Sequence, residues 1–295
     1  MKAKKKISLV LGSGGARGYA HIGVIEELLK SGYEIKSISG SSIGAMIGAL
    51  YACGKLDLFK EWVLSLDFLD VVKLVDFSFG KTGLIQGDKV FQIIEEMIGD
   101  VLIEDLPIAF TAVATDIMAQ KEIWIQKGSL LDAVRASVAI PTALTPKKIG
   151  GRSLIDGGVL NPLPIAPTMS DNTDLTIAVK LNAIVNKTYK INLPQKAREQ
   201  ESSMQNIFNE MSDKALSLFE REYKNSPDEM SVFDIIGRTI DTMQNSLEAY
   251  KMAGYSPDII MNIPHDACGF YEFNRGYEII ELGRIIAQES LKEIE

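Results

Sequence analysis

Between Ile7 and Gly54 the chain twice passes from a short apolar run through a glycine break into a helical pattern, and that order restricts the fold more than anything else in the sequence. Ile7-Ser8-Leu9-Val10-Leu11 ends at Gly12 and reads as a buried strand of the kind parallel sheets contain. The loop Gly12-Ser13-Gly14-Gly15-Ala16-Arg17-Gly18 follows. Ala20, Ile22, Val24, Ile25, Leu28 and Leu29 then recur at helical spacing until Ser31-Gly32 stops them. Ile35–Ser39 is a second strand that ends at Gly40. A helix rich in small residues runs from Ile43 to Ala52 and closes at Gly54. Strand, loop, helix, strand, turn, helix is the opening of an α/β fold with parallel strands.

The spacing predicts further helices at Leu56–Leu66, Lys89–Ile98, Leu130–Val138 (ending before Pro141), Val232–Met252 and Arg275–Ile294. Strands are expected at Ile108–Thr115, Glu122–Gln126, Arg152–Ile155, Leu175–Leu181 and Asp258–Ile263. From Asn182 to Met230 the composition turns polar and charged, with Met204, Ile207, Phe208, Met211, Ala215, Leu218 and Phe219 at helical spacing. Residues 182–230 read as a polar insertion carrying an exposed amphipathic helix, inside one domain that covers residues 1–295.

Several classes of function fall away on composition. Hydrophobic residues at 46% and charged residues at 24% of 295 exclude wholesale disorder. A net charge of −8 argues against sequence-independent nucleic-acid binding, which needs a basic face. Lys2, Lys4, Lys5 and Lys6 precede an apolar run too short for a signal peptide, and no stretch approaches a membrane-spanning length. A soluble, cytoplasmic protein is expected. Two cysteines, Cys53 and Cys268, make no disulfide framework, and no CxxC or HExxH occurs, so neither a zinc site nor a cofactor is expected. Catalysis that needs histidine has two candidates, His21 and His265.

Three motifs bear on chemistry. Gly40-Ser41-Ser42-Ile43-Gly44 fits G-x-S-x-G. A nucleophilic serine needs a sharp strand-to-helix turn, and the dipole of the following helix favours developing negative charge. The pentapeptide alone is also an ordinary helix cap. The Gly12–Gly18 loop lacks the third glycine of the dinucleotide fingerprint, where Arg17 stands, and the Gly-Lys-Ser/Thr of a P-loop. The backbone N–H groups of Gly14 and Gly15 suit an oxyanion hole; a plain tight turn and a phosphate cradle are the alternatives. Leu154-Ile155-Asp156-Gly157-Gly158 sets an aspartate at a strand end, the pattern of a common Asp-Gly turn as well as of a site.

Gly14-Gly15-Ala16-Arg17-Gly18, Gly40-Ser41-Ser42-Ile43-Gly44 and Asp156-Gly157-Gly158, in that order, resemble the patatin-like phospholipase family, with its G-G-x-R/K-G, G-x-S-x-G and D-G-G/A. Ala136-Ser137-Val138-Ala139-Ile140-Pro141 and Asn161-Pro162 strengthen the likeness, which covers residues 5–181 and extends toward the end of the chain. The resemblance implies a three-layer αβα fold with a mostly parallel sheet. It also implies acyl-ester hydrolysis through an acyl-enzyme and a serine–aspartate dyad without histidine. Carried over, Ser42 is the nucleophile, Asp156 the base, and Gly14, Gly15, Ala16 and Arg17 the oxyanion loop. A free aspartate is a poor base for an alcohol, so the dyad requires an enclosed site that raises its pKa.

Ser42, Asp156 and His265 also stand in the chain order of a Ser–Asp–His triad, although Ser42 comes after too few strands for that fold. His21 reads as a structural histidine near the glycine loop, and Cys53 as a core residue of its helix. Acyl transfer to another acceptor uses the same serine chemistry, and a phosphate-binding module using the glycine loop is the non-enzymatic reading. The substrate expected is a lipid or small ester. The apolar stretch from Trp62 through Leu64, Leu66, Phe68, Leu69, Val71, Val72, Leu74, Val75 and Phe77 to Phe79 suits an acyl pocket or a peripheral membrane contact, and equally core packing.

Overall fold

The computed structural model of the protein describes residues 5–66, 88–141, 144–191 and 232–293. The helical reading of Met204–Phe219, most of the apolar stretch up to Phe79 and most of the polar insertion lie outside them. The strands are β1 (Lys6–Leu11), β2 (Glu34–Ser41), β3 (Ala109–Asp116), β4 (Lys121–Ile125), β5 (Lys147–Ile149), β6 (Arg152–Asp156), β7 (Leu175–Ala183) and β8 (Ile259–Pro264). The helices are α1 (Ala20–Lys30), α2 (Ile43–Ala52), α3 (Leu56–Ser65), α4 (Asp88–Ile98), α5 (Leu130–Ser137), α6 (Val232–Gly254) and α7 (Gly276–Lys292). A 3-10 turn, Gly15–Tyr19, leads into α1.

The strands form one sheet in the order β5-β6-β3-β2-β1-β7-β8, with β4 also on β3. β3, β2, β1, β7 and β8 are parallel, β4 and β6 run against them, and β5, antiparallel to β6, runs with them at the far edge. Parallel pairing places the ends of β1 and β2 side by side, so the glycine loop and the Ser42 turn leave the sheet as neighbours.

The pleat makes the two faces of this sheet different. Across the register Leu9, Ile38, Phe110, Ile177 and Ile259 form one row, and Leu11, Gly40, Ala112, Val179 and Met261 the next. With them α1 to α5 and α7 bury their apolar residues in a single cluster. The intervening residues point the other way: Ser8 and Val10 of β1, Ser37, Ser39 and Ser41 of β2, Thr111 and Thr115 of β3, Lys180 and Asn182 of β7. Among the described residues that second face carries a small apolar cluster, Val10, Leu163, Ile165 and Ala178 with Met252 of α6. The result is three layers: helices, sheet, and a layer made by α6 and the 163–169 segment.

Two strands run further than their polarity suggested. β2 continues through Gly40 to Ser41, and β7 through Asn182 to Ala183. Ser39, Ser41 and Asn182 are buried on the second face, where a polar side chain is no sign of solvent. The register of β1 and β2 slips between Ile7 and Ser8, so the one extra residue of β2 lets Ile35 and Ile38 share the apolar face.

Candidate active site

β3 brings two strand ends together. β4 pairs with it along Ala112–Asp116, which occupies one edge. The other edge is shared end to end: β2 pairs up to Ser41↔Val113, and β6, running oppositely, ends at Asp156↔Ala114. Two strands arriving from opposite directions thus terminate at adjacent residues of the same partner, and the residues at their tips meet. Ser42 Oγ donates to Asp156 Oδ2 at 2.5 Å, across 114 residues of sequence.

Ser42 holds φ 55° and ψ −127°, a region non-glycine residues enter at a cost of about 1–3 kcal/mol. The turn into α2 is tight because α2 lies against β1; a Cβ on Gly44 would come within 2.1 Å of Leu11 O. The Ala136–Pro141 segment fixes both partners. Ser137 Oγ accepts from Ser42 N–H at 3.0 Å and donates to Val113 O at 2.6 Å. Ala139 O accepts from Asp156 N–H at 3.0 Å. Ser137 went unassigned from sequence. Its only signal is a hydroxyl at the buried end of an otherwise apolar helix face.

Asp156 is 4% exposed and Ser42 3%. Burial pushes the Asp156 carboxyl up to about 7, against the opposing pull of its hydrogen bonds from Ser42 and from Gly158 N–H, the latter 2.7 Å from Oδ1. Desolvation wins because ionising a carboxylate away from water costs more than two hydrogen bonds return.

Beside Ser42, the glycine loop turns sharply. Gly15 has φ +58°, and a Cβ there would lie 2.5 Å from Phe270 O. Ser13 N–H donates to Pro162 O (2.8 Å) and Ala16 N–H to Phe270 O (2.9 Å). Among the described residues no acceptor is recorded for Gly14 N–H or Gly15 N–H. The Arg17 side chain is buried beneath the loop, donating to Gly14 O (3.2 Å), His265 O (2.7 Å) and Asp241 Oδ1 (3.1 Å). Its charge braces the loop.

Neither histidine touches the Ser42–Asp156 pair. His21 is fully buried, and its Nε2–H donates to Gly12 O at 2.9 Å, steadying the base of the glycine loop. Burial lowers its pKa to about 4, against the pull of the Gly12 bond, so the ring is neutral. His265 is exposed and contributes backbone: its N–H donates to Ala183 O (2.9 Å) and its carbonyl accepts from Arg17. Both cysteines are free. Cys53 is half-buried, and burial pushes the Cys268 thiol up to about 12. Among the described residues no group of three or more His, Cys, Asp and Glu side chains could hold a metal, and no helix is long and apolar enough to cross a membrane.

A cavity of about 160 Å³ opens beside Ser42 and Gly15. Its walls are Tyr19, Ile43, Met46, Phe59, Trp62, Leu66, Phe91, Val138, Leu144 and Phe273, with other apolar side chains. Of the Trp62–Phe79 stretch, Trp62, Leu64 and Leu66 fall within the described residues, and Trp62 and Leu66 line the cavity.

Residues 9–169 match the family model of the patatin-like phospholipases. An uncharacterized NTE family protein of Mycobacterium tuberculosis is 36% identical across 98% of this chain and 92% of its own length. Patatin-like phospholipase domain-containing protein 6 of Mus musculus is 36% identical over 184 residues, 59% of this chain and 13% of that protein. Among solved structures, VipD from Legionella pneumophila covers 99% of this chain and 67% of its own, with a TM-score of 0.47 and 14% identity. The family match takes in the glycine loop, the Ser42 turn and Asp156, and the chain belongs to the patatin-like phospholipase family.

Proposed function

We propose that the protein hydrolyses carboxylic esters of lipids through a Ser42–Asp156 dyad. Membership in the patatin-like phospholipase family supports lipid-ester hydrolysis in general. The single observation that carries the dyad is the 2.5 Å hydrogen bond from Ser42 Oγ to a buried Asp156. As Ser42 Oγ attacks the acyl carbonyl, its proton passes to Asp156 Oδ2, so no free alkoxide forms. The oxyanion is received by the N–H groups of Gly14 and Gly15, because the Ala16 N–H is already engaged by Phe270. Collapse of the tetrahedral intermediate breaks the ester bond, and Asp156 returns the proton to the departing alcohol. Water then attacks the acyl-enzyme with Asp156 again as base, and the carboxylic acid leaves.

A carboxyl with a pKa of about 7 is matched to this double duty near neutral pH, whereas an exposed aspartate is too weak a base. The exposed His265, which touches neither residue, and the hydrogen bonds of both Asp156 oxygens to Ser42 and Gly158 favour the dyad over a triad. The apolar cavity beside Ser42 suits the acyl chain, and its walls favour esters over phosphate ligands. The same reading has the protein act from the cytoplasm, touching lipid surfaces peripherally. Replacement of Phe77 and Phe79 by Ser should then reduce co-sedimentation with vesicles.

The deciding experiment is hydrolysis of a panel of p-nitrophenyl esters and lysophospholipids by the wild type, Ser42→Ala and Asp156→Asn. Wild-type rates in either variant would sink the dyad. Failure of a fluorophosphonate to label Ser42 in the folded protein would favour a binding module.

A further inference from the structure

The helix α6 carries a polar stripe along the side that faces the sheet. Asp241, Gln244, Glu248 and Lys251 recur at helical spacing, and each reaches a different part of the molecule. Asp241 accepts from Arg17, Glu248 Oε2 lies 3.0 Å from Lys180 Nζ on β7, and Lys251 pairs with Glu122 of β4 at 2.6 Å. Two residues of strand match one turn of helix, so Asn182, Lys180 and Ala178 of β7 meet Gln244, Glu248 and Met252 in turn.

Gln244 stands at the point where this stripe crosses the site. It is 7% exposed. Its Nε2 donates to Gly158 O at 3.2 Å and lies 3.5 Å from Ser13 Oγ, while its Oε1 accepts from Asn182 Nδ2 at 3.3 Å. Gly158 O can only accept, which fixes the orientation of the amide. A second observation points to the same spot. A Cβ on Gly158 would lie 2.6 Å from Ser13 Oγ, 2.7 Å from Gln244 Nε2 and 3.0 Å from Asp156 Oδ1. The glycine loop, the helix and the carboxylate converge on one backbone position. The φ of Gly158 lies outside the left-handed region, so crowding by those three side chains is what excludes a larger residue there.

We propose that Gln244 is a positioning residue for ester hydrolysis, tying the Asp156–Gly158 turn to the Ser13–Gly15 loop so that base and oxyanion donors keep one geometry. This rests on the dyad reading above. Gly158 N–H donates to Asp156 Oδ1 and Gly158 O accepts from Gln244, so the two bonds hold the turn from both sides. The other charged groups near Gln244 are Asp241 and Glu248 on its own helix, Arg17 from the loop and Lys180 from β7.

The test uses Gln244→Ala, Gly158→Ala and the double variant in the full chain. Gln244→Ala is expected to lower kcat about tenfold to a hundredfold with KM within about twofold, since positioning acts on the transition state. Loosening the Gly158 N–H bond removes a contact that favours ionised Asp156. The rising limb of the pH–rate profile should therefore move alkaline by about half a unit or more. A merely structural role would lower Tm and leave that limb in place. Independently of activity, Gly158→Ala should lower Tm less in the Gln244→Ala background than in the wild type, because one of its three clash partners is gone and Ser13 Oγ gains room to move. Equal Tm losses in both backgrounds, or an unmoved limb with near-wild-type kcat, would overturn the positioning role. Full activity of Ser42→Ala would instead overturn the dyad on which it rests.

Discussion

The two faces of the sheet are built on opposite principles, although they share every strand. On one face Leu9, Ile38, Phe110 and Ile177 lie in register under six helices, whose buried apolar side chains join them in a single cluster. On the other, serines, threonines, Lys180 and Asn182 meet a helix that is attached by hydrogen bonds and ion pairs, with Met252 as its apolar contact. Apolar burial is non-directional and supplies stability. Polar contacts are worth less in net stability but are directional, and they fix geometry. Ser42 and Asp156 sit at the seam: α2 and β2 hold the serine from the apolar side, and the Gly158 turn reaches across to α6. The difference predicts that substitutions on the first face change stability, and that those at the seam and on the second change catalysis.

The sharpest break of that division is at the pair itself. Ser42→Ala and Asp156→Asn are expected to reduce kcat/KM by about 10⁴-fold or more in the ester panel while leaving the fold intact. Asp156→Asn should also raise stability, in a definite pH window. The folded carboxyl titrates near 7 against 3.8 for an unperturbed group, so the Asp156 contribution to wild-type stability declines as pH rises from about 4 to about 7 and is constant above. His21, lowered to about 4 when folded, acts in the opposite direction and is common to both proteins, so the difference between them isolates Asp156. The gain of the Asn variant should grow over that interval, followed by urea melts, and vanish below pH 4.

Two adjacent residues of β2 test the faces directly. Ile38→Ala on the apolar face should cost about 2–5 kcal/mol by urea denaturation. Ser39→Ala, one residue on, should cost under about 1 kcal/mol, because the buried Ser39 Oγ has no hydrogen-bond partner among the described residues. Comparable losses would dissolve the distinction. In activity, log kcat/KM should rise with unit slope up to about pH 7 and then level, as Asp156 ionises. The smallest effect is expected at His265→Ala, within about twofold of wild type. A loss of several orders of magnitude there would restore the triad.

Apart from the three-residue β5 (Lys147–Ile149), too short to show a period, the strands and helices of the described residues were legible from periodicity, since each buries a face whose spacing is written locally. The ends of β2 and β7 were not. Ser41 and Asn182 look like loop residues until the buried polar layer that receives them is seen. Ser42 and Asp156 were legible as motif centres. The glycine loop was legible as a set of N–H donors, but the hydrogen-bond map narrows them to Gly14 and Gly15, with Ala16 tied to Phe270 and Arg17 turned inward as a brace. Ser137 was legible only as part of the Ala136–Pro141 segment, without a role, and Gln244 gave no signal, because a buried glutamine in a charged helix reads as one more surface residue.

The scarcity of histidine, the α/β element order and the three glycine-bearing motifs were determined by the sequence by itself, because composition and local spacing carry them. Only the tertiary structure decided that β2 and β6 end against neighbouring residues of β3, which turns a separation of 114 residues into a 2.5 Å hydrogen bond. It also decided that Asp156 is shut away from water and so titrates near 7. Pairing register and burial are properties of what surrounds a residue, and a chain read in order does not contain its surroundings.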